Sequence, residues 1–194
     1  MRLIRAKDYR RMPWKNGGGE TIEIAVHPRG SDTSSFDWRI SMARVEENGP
    51  FSIFPGMDRT LAILDGQGID LSIEGQGTAR IYSAPLAFAG DVPTSASLVD
   101  GPVTDLNVMT RRGKFQNRVT RLELSNPREI VVMSPVALMY CHRGRIAIEQ
   151  EFVSPVEVSE GETLFIEAMP NGLALQPLSP STIFLIEIVP VQGT

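Results

Sequence analysis

The chain has 194 residues, of which 42% are hydrophobic and 22% charged, values typical of a globular protein rather than a fibrous, disordered or membrane protein. Its 19 basic and 23 acidic residues give a formal net charge of −4, which excludes the strongly positive surface that binds nucleic acid. We therefore expect no nucleic-acid and no membrane partner, and we interpret the basic group of Arg111, Arg112, Lys114 and Arg118 as a solvated loop.

Short apolar or alternating runs recur along the chain and are separated by clusters of Gly, Pro, Asn and Asp. This spacing is typical of β-strands joined by turns, and sustained helical periodicity is hard to find. The sequence therefore predicts an all-β protein built as a sandwich or barrel. The predicted strands are Thr21–Val26, Asp37–Val45, Arg59–Leu64, Ile69–Ile73, Thr78–Tyr82, Leu106–Met109, Val119–Leu124, Glu129–Met133, Ala137–Tyr140, Arg145–Glu149, Thr163–Glu167 and Thr182–Val189.

The two halves of the chain resemble each other weakly. For example, Asp105–Met109 matches Ile183–Glu187 in its place within the strand pattern. A repeat of this length indicates two similar β units. Charged residues and Gly113 interrupt the apolar pattern between them, so we expect an N-terminal barrel over residues 1–112 and a C-terminal barrel over residues 113–194.

The segment Met12–Glu20 is the most unusual part of the sequence, because it places three consecutive glycines after Trp14, Lys15 and Asn16. Ordering a glycine costs roughly 0.5–1 kcal/mol more than ordering an alanine, so such a run is either mobile or fixed by other contacts. One interpretation is a flexible tether before the first strand. The other is a ligand-binding loop, because Lys15 and Asn16 can bind anions and amides and a bare backbone can approach a ligand closely. The run does not match a nucleotide-binding P-loop.

Polar residues interrupt three predicted strands. In Asp37–Val45, strand alternation places Arg39 on the face opposite the tryptophan. In an isolated strand this face would be solvated. In a small barrel it would be the lumen, where Arg39 would hold an anion. Arg59 begins an apolar strand and needs a partner, which either a structural salt bridge or a ligand would supply. Asp105 and Asn107 share a face that would supply an acceptor and an amide to a pocket.

The histidine content argues against a metal site. A histidine-based metal site in a β-barrel takes two or three histidines and a carboxylate from neighbouring strands, whereas this chain has only His27 and His142, one in each half. We interpret both as surface or structural imidazoles and expect no metal and no cofactor. No Ser nucleophile motif is present, and proton transfer by Asp105, Glu20 or Glu23 stays an open alternative.

The single cysteine, Cys141, excludes an internal disulfide framework and a thiolate zinc site. Disulfide-free chains are typical of reducing compartments. The first eleven residues also lack an apolar stretch of signal-peptide length. We therefore expect a cytoplasmic protein.

Four segments together resemble the signature blocks of the HutD/Ves family and occur in the order of that family. They cover about the first 112 residues, whereas the C-terminal half resembles cupins only in general character. The four segments are Pro13–Thr21, Phe36–Ser41, Phe54–Arg59 and Gly101–Met109.

The resemblance implies a bicupin of the RmlC-like cupin superfamily, that is, two jelly-roll-like β-barrels packed together, without the usual metal ligands. It also implies a role in histidine utilisation, where family members are thought to temper operon expression with N-formylglutamate or urocanate as ligand. Both compounds carry carboxylates, which suits a pocket lined by cations. The residues that the resemblance assigns to this pocket are Trp14, Lys15, Asn16, Arg39, Arg59, Asp105 and Asn107.

We therefore expect a regulatory or accessory protein of histidine utilisation that senses a small carboxylate in its N-terminal barrel, more in keeping with a binding protein than with an enzyme. One alternative is a metal-independent isomerase or hydrolase acting on a small carboxylate, with Asp105 or a nearby Glu as the base. Another is a protein-interaction module. The C-terminal barrel is expected to be structural, and the sequence leaves a homodimer open.

Overall fold

The computed structural model describes residues 1–14, 19–151, 153–167 and 172–191, and β-strands dominate these ranges. The one helical element described there is a single 3-10 turn, Ala6–Asp8. None of the described residues forms a helix long and apolar enough to cross a membrane. The predicted all-β class is confirmed.

The strands divide into two compact units. The N-terminal unit comprises Arg10–Gln116 with residues 190–191, and the C-terminal unit comprises Met1–Tyr9 with Asn117–Val189. The sequence placed the first nine residues in the N-terminal barrel. They belong to the other unit because a three-residue strand, Arg2–Ile4, extends its sheet.

The N-terminal unit contains one six-stranded and one four-stranded sheet. Its strands are β2 (Arg10–Pro13), β3 (Glu20–His27), β4 (Trp38–Val45), β5 (Gly49–Pro50), β6 (Met57–Asp65), β7 (Ile69–Ile73), β8 (Gly77–Ile81), β9 (Leu86–Ala89), β10 (Thr94–Leu98) and β11 (Val103–Arg111). The larger sheet has the order β2-β3-β4-β11-β6-β9, and the smaller has the order β5-β10-β7-β8.

The C-terminal unit contains one five-stranded and one four-stranded sheet. Its strands are β1 (Arg2–Ile4), β12 (Phe115–Leu124), β13 (Arg128–Ile130), β14 (Val136–Arg143), β15 (Arg145–Gln150), β16 (Val153–Ser159), β17 (Thr163–Glu167), β18 (Leu173–Pro177) and β19 (Ser181–Pro190). The larger sheet has the order β1-β17-β14-β19-β12, and the smaller has the order β13-β18-β15-β16.

The two units repeat the same strand order. The series β4-β11-β6-β9 corresponds to β12-β19-β14-β17, and β5-β10-β7-β8 corresponds to β13-β18-β15-β16. The pairing register is also kept, since Asn107 lies opposite Leu61 in the first unit and Leu185 lies opposite Met139 in the second. The weak repeat in the sequence is therefore a duplication of one eight-stranded unit.

Each unit has its own apolar core, formed by alternate residues of its two sheets. Burying one large aliphatic or aromatic side chain contributes about 1.5–3 kcal/mol, so each core accounts for much of its unit's stability. The N-terminal core consists of Val45, Leu61, Ile63, Ile69, Leu71, Ile73, Ile81, Phe88, Ala96 and Val103. The C-terminal core consists of Leu122, Leu124, Val132, Ala137, Met139, Cys141, Ile146, Ile148, Val158, Leu164, Ile166, Leu173, Leu175, Ile183 and Leu185.

Candidate functional site

A cavity of about 620 Å³ lies within the N-terminal unit. This volume is in the range of small-molecule sites, and the walls combine apolar side chains with a few polar groups, as such sites do. The cavity is lined by Met12, Pro13, Trp14, Thr21, Thr33, Arg39, Ser41, Ala43, Val45, Pro50, Phe51, Ser52, Phe54, Arg59, Asp105, Asn107 and Met109.

Three neighbouring strands direct polar side chains into this cavity. Met109 on β11 lies opposite Arg39 on β4 and opposite Arg59 on β6, so the three side chains share one face of the sheet. Asn107 and Asp105 follow on β11 at steps of two residues and lie on the same face. The structure thus brings together four of the residues that the sequence assigned to a pocket.

Arg39 is held by a buried carboxylate. Its Nε donates to Glu23 Oε2 at 2.7 Å, and both side chains are less than a tenth exposed. The register of β3 shifts between Glu23 and Ala25, which lets Glu23 face Ser41 while Val26 faces Arg39. A β-bulge of this kind re-aims a side chain. Among the described residues Glu23 is the one hydrogen-bond partner of Arg39, so the Nη groups stay unpaired there.

Arg59 is 6% exposed and has a different environment. Its Nε donates to Asn107 Oδ1 at 2.8 Å, and the guanidinium carbon lies 4.5 Å from the ring centre of Phe51 and 5.5 Å from that of Phe88. Within the described ranges it forms no salt bridge, so the structural ion pair considered from the sequence is not found there. Burial lowers the pKa of Arg59 to about 10; the charge of Asp105 opposes this effect and that of Arg39 adds to it. Arg59 is therefore a cation at neutral pH.

Asp105 is the buried carboxylate of the cavity wall, at 1% exposure. Its Oδ1 atom has no hydrogen-bond partner among the described residues. Burial raises the pKa of Asp105 to about 6, while the charge of Arg59 and a backbone hydrogen bond from Ala43 act in the opposite direction. An unpaired buried acceptor is costly, so Oδ1 marks a position where a ligand group or a proton would be stabilised.

Strand β2 comes before the glycine-rich segment and pairs with β3, which comes after it, so the segment does not stand before the first strand. Trp14 N donates to Gly19 O at 2.9 Å, and the indole Nε1 donates to Thr21 Oγ1 at 2.8 Å. A Cβ at position 19 would lie 3.2 Å from the Trp14 ring, which is a tight contact. Trp14 and Thr21 both line the cavity, whereas Lys15 and Asn16 lie outside the described residues.

Glu23 and Phe51 contact the arginines of the cavity but were not assigned to the pocket from the sequence. Glu23 was considered only as a base, although it orients Arg39. Phe51 lies in the segment between β5 and β6 and covers the Arg59 guanidinium. A cation over an aromatic ring contributes about 0.5–2 kcal/mol. The sequence signal for Phe51 was an aromatic residue in a segment with few predicted strands.

The C-terminal unit has apolar side chains at the positions equivalent to three of the polar cavity residues. All three apolar side chains belong to its buried core. In the strand register Arg59, Asn107 and Asp105 correspond to Ala137, Leu185 and Ile183.

Neither histidine lines the cavity. His27 is exposed and stacks on Trp38 with ring centres 5.5 Å apart, and His142 is buried beside Tyr140 and Phe184. In the part of the chain that is described, no three or more His, Cys, Asp or Glu side chains are grouped so that they could hold a metal ion. The cavity instead presents guanidinium donors, one amide and one carboxyl group.

Comparisons with known proteins found relatives that match part of the chain and solved structures that match almost all of it. A Pseudomonas putida protein described as a 21.2 kDa protein in the hutC 3′ region is 38% identical over 120 residues, 61% of this chain and 63% of the relative. Protein Ves of Citrobacter koseri is 40% identical over 117 residues, 58% of this chain and 60% of the relative. The chain thus spans about three fifths of the length of these relatives.

Two solved structures match almost end to end. A conserved protein of unknown function from Pseudomonas aeruginosa has a TM-score of 0.88 and 30% identity, covering 97% of this chain and 98% of that one. HutD from Pseudomonas fluorescens has a TM-score of 0.81 and 26% identity, covering 98% and 99%. A more distant likeness to oxalate decarboxylase of Lactobacillus farciminis, with a TM-score of 0.67 and 9% identity over 98% and 87%, shows the cupin fold alone. The model of the HutD family matches residues 6–183, so the chain belongs to the HutD family and has a bicupin fold.

Proposed function

We propose that the N-terminal unit binds a small carboxylate in its cavity, and that the protein is a regulatory or accessory protein of histidine utilisation. One observation carries this proposal. Two buried arginines line the same cavity, and among the described residues each uses only its Nε atom in a hydrogen bond. Their Nη groups are the donors that a carboxylate pairs with best, because the guanidinium fork matches two carboxylate oxygens.

The surroundings of these arginines strengthen an interaction with an anion. Arg39 and Arg59 are 5% and 6% exposed, and Phe51 and Phe88 cover the Arg59 guanidinium. Charges attract more strongly in such a poorly solvated environment than in water. The apolar walls, which include Trp14, would contact the carbon skeleton of the ligand.

The link to histidine utilisation is supported by two relatives, one described by its place in the hutC 3′ region and one named HutD. Intermediates of histidine breakdown such as N-formylglutamate and urocanate carry carboxylates and are small enough for a cavity of about 620 Å³. We therefore choose them as the first compounds to test.

Isothermal titration calorimetry with N-formyl-L-glutamate, urocanate, L-glutamate and L-histidine tests the proposal. We expect at least one of these compounds to bind with a dissociation constant below 1 mM, roughly the weakest affinity of a specific small-ligand site. Arg59→Met, which keeps side-chain length without the charge, should weaken that binding more than tenfold. The matched control is Arg112→Met, a half-exposed arginine paired with Asp58 and Asp91 at the surface, which should bind like wild type. Equal affinity of the two variants would contradict the proposal.

A metal-independent enzyme is the second candidate, because burial raises the pKa of Asp105 to about 6, within the range in which a carboxyl group serves as a general acid or base at neutral pH. Incubation of the same four compounds with the protein, followed by proton NMR in D2O, would reveal turnover or exchange at carbon. We expect the Asp105→Asn variant to abolish any such turnover. Binding without any spectral change over a day would leave the binding protein as the function.

A further inference from the structure

Among the described residues, the charged groups around the cavity balance one another. Asp105 lies on β11 between β4 and β6, and these strands present Arg39 and Arg59 on the same face. Strand β3 adds Glu23, which pairs with Arg39. The described lining residues from the other strands and loops are uncharged. Two guanidinium groups therefore face two carboxylates.

A ligand carboxylate would disturb this balance by adding a third negative charge to a poorly solvated site. An uncompensated buried charge is costly, and the least costly remedy is to neutralise one of the carboxylates. Glu23 is unsuited to this, because it accepts a charge-assisted hydrogen bond from Arg39 at 2.7 Å. Asp105 is suited to it, because its Oδ1 accepts no hydrogen bond from any described residue.

Building on the proposed function, we propose that the ligand binds together with one proton, which Asp105 takes up on Oδ1 and donates as a hydrogen bond to the ligand's carboxylate. The proton comes from solvent, and no covalent bond other than O–H is formed. The occupied site then contains two guanidinium cations, Glu23 and the ligand carboxylate as anions, and a neutral carboxyl group.

This assignment makes Asp105 a residue that determines specificity. A neutral carboxyl group donates to an oxygen of the ligand, whereas an ionised one would accept from an N–H group of the ligand. The buried position of Asp105 already raises its pKa to about 6 in the empty site, and a neighbouring anion would raise it further. Binding with a neutral Asp105 takes up a proton, whereas binding with an ionised Asp105 does not, so proton uptake distinguishes the two.

Calorimetry in buffers of different ionisation enthalpy measures this uptake. The probes are N-formyl-L-glutamate and glutarate, neither of which has a group that titrates between pH 6 and 9. At pH 7.5 we expect uptake of close to one proton in phosphate, HEPES and Tris. The dissociation constant should rise by up to about tenfold per pH unit above pH 6.5, because the empty site must gain a proton to bind.

Two variants complete the experiment. Asp105→Asn resembles the protonated acid and keeps a donor, so it should bind the probes with an affinity that does not change between pH 6 and 8 and with no proton uptake. Asp105→Leu has no donor and should bind at least tenfold more weakly than Asp105→Asn. Wild-type binding with no proton uptake would overturn this inference but not the proposed function. A complete loss of binding in Asp105→Asn would do the same, because it would indicate that Asp105 acts as an ionised acceptor. Failure of wild type to bind any tested carboxylate at any pH would overturn the proposed function as well.

Discussion

Replacing Asp105 by asparagine is expected to raise the free energy of unfolding at neutral pH. Burial moves the pKa of Asp105 from 3.8 to about 6, so the folded protein keeps its proton over a range in which the unfolded chain releases it. Between these two values the folded state binds more protons, and the stability of the wild type therefore falls as the pH rises. At about 1.36 kcal/mol per pKa unit, the shift from 3.8 to about 6 corresponds to roughly 3 kcal/mol above pH 6.

Urea unfolding of both proteins from pH 4 to pH 8, followed by circular dichroism, measures this effect. Because asparagine does not titrate, the variant should match the wild type near pH 4 and exceed it by roughly 3 kcal/mol at pH 7. The matched control is Asp70→Asn, since Asp70 lies at the surface and pairs with Arg80, which lowers its pKa. This control should show no gain in stability at pH 7, because a solvent-exposed ion pair contributes little. A difference for Asp105→Asn that does not change between pH 4 and pH 7 would refute the reasoning.

Three further predictions concern other parts of the chain. Glu23→Gln and Arg39→Met should each lower the free energy of unfolding by about 3–5 kcal/mol, because each single change leaves a buried charge unpaired. The double variant should lose clearly less than the sum of the two losses, and additive losses in urea unfolding would contradict this. Phe51→Leu should weaken carboxylate binding several-fold in calorimetry by removing the ring over the binding arginine, and unchanged affinity would contradict it. Gly144→Ala should lower the melting temperature, because a Cβ there would clash with Pro180 O in the C-terminal unit. The dissociation constant of the carboxylate should stay unchanged, and weaker binding well below the melting temperature would argue against a purely structural role for that unit.

Much of the site could be predicted from the sequence because strand alternation is a local rule. Knowing only that Asp105 and Asn107 are two residues apart in an apolar strand is enough to place them on one face. The same rule places Arg39 opposite the tryptophan of its strand. The sequence predicted the three strands β4, β6 and β11, at least in part, and their pairing then brought the polar residues together.

Other features depend on contacts between distant segments and could not be predicted. Strand β10, Thr94–Leu98, has two serines and an alanine and owes its conformation to pairing with β7. The short strands β1 and β5 likewise exist only through their partners. The bulge in β3 that lets Glu23 face Ser41, next to Arg39, has no recognisable local signal. The sequence therefore found both arginines and Asn107, the partner of Arg59, but not the role of Glu23 in orienting Arg39.

The central claim is that the cavity of the N-terminal unit holds a carboxylate between Arg39, Arg59 and Asp105. A crystal structure of the protein with bound N-formyl-L-glutamate tests it most directly. We expect the oxygens of a ligand carboxylate to lie about 2.7–2.9 Å from the Nη atoms of at least one of the two arginines, the spacing of charge-assisted hydrogen bonds. One of these oxygens should face Asp105 Oδ1. A ligand bound elsewhere, with both arginines and Asp105 uncontacted, would contradict it.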